Sequence, residues 1–331
     1  MPEVVILLFD DCQPSAVSTI IEALNIANLH WARVDNEGAP PFRWRTISFD
    51  GRPVRAMGGI QLAADGPVEK LGRPDLIFVP AVRSSDQGEM ITLVERYTAL
   101  WGDILRDHYK RNGYLAANCS ATFILAETGL LDGRKATTTW FLSRAFHRRY
   151  PRVELLSDML VTKDAKIFCS AAFSACLNLG LEIIAEFLGP RAIVPCARVM
   201  LIDVNRTTQL SFANVQEHIN HDDDLVLRAQ TLLLANVARA PDLERLARRL
   251  HVTTRTLGRR FKKAIGETPI TFLQNARVER AKRLLEITNT SVDRVARRVG
   301  YDDAGSFRRL FVKTAGISPR EYRQKFGTSK L

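Results

Sequence analysis

The sequence predicts two domains of different class: an α/β domain with a layered, mostly parallel sheet, then an all-α domain with two helix-turn-helix units. Three observations predict it. Across the first two hundred residues, short apolar runs alternate with stretches of helical spacing, the order that builds a parallel sheet covered by helices. In the last third, one unit is written twice. Charge divides at the same place: residues 1–220 carry 23 Lys/Arg against 24 Asp/Glu, and residues 221–331 carry 24 against 12. The net charge of +11 therefore resides in the final third, as a nucleic-acid footprint would require.

The elements follow in order. Glu3 to Phe9 is a continuous apolar run, the pattern of a strand buried on both faces. Ser15 to Asn28 has helical spacing, and Phe42 to Phe49 alternates as a strand does. Leu76 to Ala81 is a second buried strand, ending at Val82-Arg83-Ser84-Ser85, and Glu89 to Arg111 reads as a helix. Tyr114 to Asn118 is another apolar strand, followed at once by Cys119-Ser120-Ala121 and a helix to Gly129. Val153–Val161 and Ile167–Ser170 continue the sheet, and a helix runs from about Ala175 to Phe187. The predicted boundaries are 1–205 for the first domain, 206–222 for a polar linker, and 223–327 for the helical domain, which opens with the apolar helix Leu225 to Ala238.

The repeat is regular. Leu246-Ala247-Arg248-Arg249-Leu250, a turn and Leu257-Gly258-Arg259-Arg260-Phe261 are echoed by Val295-Ala296-Arg297-Arg298-Val299, a turn and Phe307-Arg308-Arg309-Leu310-Phe311. The offset is 49 residues before the turn and 50 after it, so the second turn holds one extra residue. Ala247 and Ala296 are small where two helices would approach closely. Leu257 and Phe261, like Phe307 and Phe311, stand four apart and face a core. Ile270 to Thr288 joins the copies as one helix, roughly 28 Å long at 1.5 Å per residue. That span is similar to one turn of B-DNA and would hold two readers in successive major grooves.

The five cysteines are scattered without a C-x-x-C pair, which points to reduced thiols in a cytoplasm rather than to zinc or a disulfide framework. No apolar run is long enough for a membrane span, and Met1-Pro2-Glu3 lacks the basic start of a secretory signal. No Walker, Rossmann or zinc signature is present, so no cofactor or metal is expected.

Several residues carry chemistry. Cys119 stands at a sharp strand-to-helix turn, the geometry of a nucleophile elbow, which exposes a side chain above the sheet and lowers a thiol pKa. Ser84 and Ser85 follow a buried strand at its carboxyl end, where ligands bind in open α/β sheets. Trp31, Trp44 and Trp140 offer indole faces for a cationic ligand, or are aromatic core.

The helical domain resembles the AraC/XylS family of transcription regulators. The residues carrying this are Ala247 and Ala296, Arg277, Ala281, Leu284 and Leu285 of the joining helix, then Gly300-Tyr301, Ser306-Phe307, Phe311, Gly316, Ser318-Pro319 and Tyr322-Arg323. Ala117-Asn118-Cys119-Ser120 and the run Leu125 to Thr138 resemble the ThiJ/PfpI, or class I glutamine-amidotransferase-like, superfamily, which implies a flavodoxin-like fold. The combination is similar to GlxA-type regulators. Where enzymatic relatives end an Ala-Thr-Thr-His segment with histidine, this chain has Thr139, and their opening-helix acid aligns with Ala16. A cysteine nucleophile needs a base and an orienter, so no catalytic residue is expected.

The resemblance implies a one-component regulator that binds double-stranded DNA through Arg255 and Arg259 in copy one and Ser306 and Arg309 in copy two. Arg260, with Lys262, Lys263 and Lys313, is expected on phosphates or in solvent, and Arg308 is expected among the DNA-binding residues. A small, nitrogenous effector is expected in a pocket of Cys119, Ser120, Thr139, Trp140, Ser84 and Phe173. A homodimer and contact with RNA polymerase are family-level expectations. Two alternatives stay open: a cysteine hydrolase or amidase fused to a DNA-binding domain, and a first domain that serves only as a dimerisation platform.

Overall fold

The computed structural model describes residues 1–34, 41–83, 86–212, 221 and 223–327. The chain divides into two compact units, Met1–Gln209 and Leu210–Leu331.

Unit 1 contains β1 (Glu3–Leu8), α1 (Pro14–Val34), β2 (Arg43–Ser48), the short pair β3 (Val54–Arg55) and β4 (Gln61–Leu62), β5 (Leu76–Val79), α2 (Gln87–Lys110), β6 (Tyr114–Asn118) and α3 (Ala121–Glu127). It continues with β7 (Lys135–Ala136), α4 (Ser143–Arg149), β8 (Glu154–Leu155), β9 (Val161–Asp164), β10 (Ile167–Ser170), α5 (Ala175–Leu188) and α6 (Ile193–Met200). The main sheet has six strands in the order β2-β1-β5-β6-β10-β9. All its pairings are parallel except β10 with β9. Val4 pairs Leu76, Leu76 pairs Tyr114, and Leu115 pairs Ile167.

The apolar runs behave as buried central strands should. Val4 to Leu8, Leu76 to Val79 and Ile167 to Ser170 are all buried, whereas β2 at the edge is buried only at Ile47 and Ser48. Strand order reverses between β1 and β5. Right-handed crossovers therefore send α1 and α2 to opposite faces of the sheet. α5 and α6 pack beside α1, and α3 packs beside α2. The stretch Val153–Val161, expected as strand, is mostly loop: Glu154–Leu155 pairs with β7 and Met159 forms a single bridge with Thr208 before β9 begins at Val161.

Unit 2 is helical: α7 (Asp224–Ala235), α8 (Leu243–Arg249), α9 (Thr254–Ile265), α10 (Pro269–Ile287), α11 (Val292–Arg298), α12 (Ala304–Ala315) and α13 (Pro319–Phe326). Each start has a side-chain cap, from Asp223, Asp242, Thr253, Thr268, Ser291, Asp303 and Ser318 in turn. Gly266 and Gly316 end α9 and α12 in the left-handed conformation. Residues 250–253 link α8 to α9 and residues 299–303 link α11 to α12, so the extra residue lies in the second turn.

The unit has two cores, one per repeat. The first gathers Val226, Leu233, Leu246, Leu257, Phe261 and Phe272, and the second gathers Val278, Leu285, Val295, Phe307, Phe311 and Tyr322. Arg277 joins them from the middle of α10. Its guanidinium donates to the carbonyls of Val237 (2.8 Å) and Arg239 (2.7 Å) in the first half and lies over the Tyr301 ring of the second. Gly300 sits against the same segment, where an added Cβ would fall 2.4 Å from the Ala238 carbonyl oxygen.

Candidate functional site

The elbow in unit 1 is built at the carboxyl ends of β6 and β10. Cys119 has a positive φ of 54°, a sparsely populated conformation for a residue with a side chain, which persists only when its surroundings hold it. Three bonds do so. The Cys119 amide donates to the Ser170 carbonyl at 2.8 Å. The Thr138 hydroxyl and the Thr122 amide donate to the Cys119 carbonyl, at 2.8 and 3.3 Å. On either side, the Asn118 side-chain oxygen accepts from the Ala81 amide, and the Ser120 hydroxyl both accepts from and donates to the Val82 backbone. Both ends of the elbow are thus stapled to the loop that follows β5.

Cys119 itself is half-buried. Burial pushes its thiol up to about 11, a larger effect than the lowering by the Ser120 amide. This reverses the depressed pKa expected from the turn geometry, because desolvation of the thiolate dominates and no basic side chain is among the groups that act on the thiol. Cys176 lies close enough for the Cys119 charge to raise its own thiol further, and its Sγ is 3.9 Å from the carbonyl oxygen of Ala16. Ala16 is buried there. His108 bonds the Tyr114 carbonyl at the far end of β6, and His147 is exposed on α4. Among the described residues no cluster of metal-ligating side chains occurs.

The predicted pocket residues divide. Thr139 is fully buried, immediately after the threonine that bonds Cys119. Its hydroxyl has no protein partner among the described residues, and the same holds for Asn118 Nδ2 and Ser170 Oγ, both buried at the ends of β6 and β10. Trp140 is half-buried, with its ring edge-on to Phe141 at 5.5 Å. Ser120 belongs to the frame of the elbow, with its hydroxyl committed to Val82. Phe173 is 62% exposed in the turn between β10 and α5 instead of closing over the elbow. Ser84 and Ser85 lie outside the described residues. Sequence reasoning missed Gln209, which was assigned to the linker. It is buried and donates to the Thr138 and Ser157 carbonyls.

In unit 2 the helical repeat sorts the cations. At about 100° per residue, Arg255, Arg259 and Lys263 fall on the side away from Leu257, Phe261 and Ile265, and all three are exposed. Arg260 falls on the flank toward α7 and pairs with Asp223, Nε to Oδ2 at 2.8 Å and Nη2 to Oδ1 at 2.6 Å. On α12, Arg309 bonds the Ser306 hydroxyl at 2.9 Å and lies 3.9 Å from Asp303. Arg308 is paired with Asp293 of α11 at 2.5 Å. Arg260, expected on phosphate or in solvent, and Arg308, expected to bind DNA, are therefore held by carboxylates of the neighbouring helices.

Comparison with known proteins accounts for both units. A model of the DJ-1/PfpI family matches residues 2–186, more than half of the chain. The chain belongs to the DJ-1/PfpI family. A helix-turn-helix domain model matches residues 246–325, so this DJ-1/PfpI protein carries an AraC-type DNA-binding domain and is a transcription regulator. It is similar to the HTH-type transcriptional regulator CdhR of Pseudomonas aeruginosa, 29% identical over 306 residues that cover 92% of this chain and 86% of that one. It is similar also to GbdR of the same species, 26% identical over 322 residues, 96% of this chain and 83% of that one. In fold, unit 1 resembles Drosophila melanogaster DJ-1beta, with a TM-score of 0.50 and 18% identity over 61% of this chain and 98% of that one. Both relatives are named as regulators, not enzymes. Among the described residues, no helix is long and apolar enough to cross a membrane.

Proposed function

We propose that this regulator binds a small nitrogenous metabolite beside the Cys119 elbow, without turning it over, and that binding alters how the two helix-turn-helix units engage double-stranded DNA. One observation carries the reading: the unpartnered Thr139 hydroxyl, Asn118 amide and Ser170 hydroxyl, all buried around one strained residue. Each such group costs about 1–3 kcal/mol when left unpaired, so the elbow favours a molecule that supplies their partners. Trp140, the next residue after Thr139 and half-buried, carries an indole of the kind that suits an ammonium or quaternary amine. A base for Cys119 is lacking at both family positions, Ala16 and Thr139, which argues against hydrolysis.

On the DNA side, Arg255 and Arg259 would read guanine edges from α9, and Ser306 and Arg309 would do so from α12. A homodimer on paired half-sites, with RNA polymerase as a further partner, completes the reading.

The test is a thermal-shift screen of the full chain against amino acids, betaines and polyamines, followed by tryptophan fluorescence. All four tryptophans, Trp31, Trp44, Trp101 and Trp140, lie in unit 1. A ligand at ~100 times its dissociation constant adds about 2.7 kcal/mol. A shift that disappears in Trp140→Phe or Thr139→Val supports the site. A shift that both variants keep moves the ligand elsewhere.

A further inference from the structure

Gln209 is the last residue of unit 1, and the chain runs from it toward the DNA-binding helices. The strap before it is pinned to the 157–160 segment. Leu160 donates to the Thr207 carbonyl at 2.9 Å, the Thr208 hydroxyl donates to the Asp158 carbonyl at 2.7 Å, and the Gln209 amide donates to the same carbonyl at 2.8 Å. The Gln209 side chain then turns inward and is 3% exposed. Its oxygen accepts from the Trp140 amide at 3.1 Å, and its nitrogen donates to the carbonyls of Thr138 at 2.9 Å and Ser157 at 2.8 Å. Thr138 in turn donates its hydroxyl to the Cys119 carbonyl at 2.8 Å.

We infer that Gln209 is a latch that couples the Cys119 elbow to the tether of the DNA-binding unit; this rests on the reading of the elbow as the control site. A residue that only tethers two units has no reason to bury an amide, because a buried amide must find all its partners in the protein. Gln209 finds them on the backbone of the very residues, Thr138 and Trp140, that frame the elbow. Hydrogen bonds fail beyond about 3.5 Å, so a displacement of residues 138–140 by roughly 1 Å unseats the amide. Loss of the amide bonds frees residues 207–209 as well, which lengthens the tether by roughly 10 Å at about 3.5 Å per residue. Docked and released straps are the two states, and a molecule at the elbow acts through its different affinity for each.

The test needs no knowledge of the ligand. The full chain first selects a duplex from a random pool. Cys119 is then capped with methyl methanethiosulfonate: the thiolate forms an S–S bond to the methylthio group, and methanesulfinate leaves with the electron pair of the broken bond. Mass mapping fixes the extent of capping, and Cys119→Ala controls for the other thiols. The wild-type dissociation constant for DNA should change about fivefold or more, within the usual range of coupling between sites. Gln209→Leu and the near-isosteric Thr138→Val should be capped equally yet change less than about twofold, with unit 1 folded by tryptophan fluorescence. If all three chains respond alike, the elbow stands as a control site and the latch falls. If the fully capped wild type does not respond, both readings are overturned.

Discussion

Arg260 on α9 and Asp223 at the start of α7 face each other through two parallel hydrogen bonds. Asp223 also caps α7 through the Val226 amide. The pair holds the carboxyl of Asp223 below its ordinary range despite partial burial. A cation so engaged is diverted from DNA. Arg260→Leu is therefore expected to leave the salt dependence of DNA binding unchanged, measured by fluorescence anisotropy between 50 and 200 mM salt. A slope smaller by about 0.9 would show that Arg260 reaches a phosphate after all. The pair contributes stability above the unfolded pKa of an aspartate and loses it as pH falls through the lowered folded value. Asp223→Asn, which keeps the cap but not the charge, should accordingly be less stable than the wild type at neutral pH, and the difference, followed by circular dichroism of the helical unit, should vanish as pH falls through the lowered folded value.

Arg259 stands on the opposite side of the same helix, exposed, with no ion pair among the described residues. Arg259→Ala should reduce discrimination at one base pair by about 1–3 kcal/mol while discrimination at the other positions is retained. Binding of a panel of single-base variants of the selected duplex measures this. A uniform loss across the panel would make Arg259 a phosphate contact instead.

Much of this was legible in the sequence because buried elements announce themselves by pattern. β1, β5, β6 and β10 were continuous apolar runs, and the joining helix, predicted as Ile270 to Thr288, spans Pro269–Ile287. The fate of Arg260 was also written there. The 50-residue offset aligns it with Leu310, which packs against the second core, so Arg260 occupies a flank position and not the outward face. What the sequence could not disclose was long-range pairing. Gln209 lies 71 residues from Thr138, and no local pattern distinguishes a polar residue that will be buried and satisfied from one left in a linker. The thiol of Cys119 was misjudged for a related reason: the turn is local, but the burial that raises its pKa is assembled from distant strands.

Gly300 and His251 occupy equivalent places in the two turns, and both have positive φ, 90° and 56°. At Gly300 the first half of the unit presses on the turn, with the Ala238 carbonyl where a Cβ would stand. Gly300→Ala should therefore destabilise unit 2 by about 1–3 kcal/mol, combining a strained conformation with an enforced backbone shift. His251→Ala should change little. Because every tryptophan lies in unit 1, denaturation followed by helical circular dichroism should move while the tryptophan transition holds still. An unshifted dichroism curve would mean that the two halves are not held together at this joint.

The last prediction concerns the thiol at the elbow. Burial favours the neutral form of Cys119, so its folded pKa, about 11, lies above the ordinary value for a cysteine. The sign follows: the fold is stabilised by this group at full strength below the unfolded pKa, and loses that contribution as pH rises through the folded value. Reactivity runs the other way, since only the thiolate attacks. Alkylation of native Cys119 by iodoacetamide should rise about tenfold per pH unit from 7 to near 10. At pH 8 it should be slower than in the denatured chain by on the order of a hundredfold. Mass mapping of Cys119 over time gives both rates. A native rate that levels off near pH 7 would reveal a thiolate stabilised by a partner. It would revive the nucleophile that the absence of a histidine at position 139 argues against.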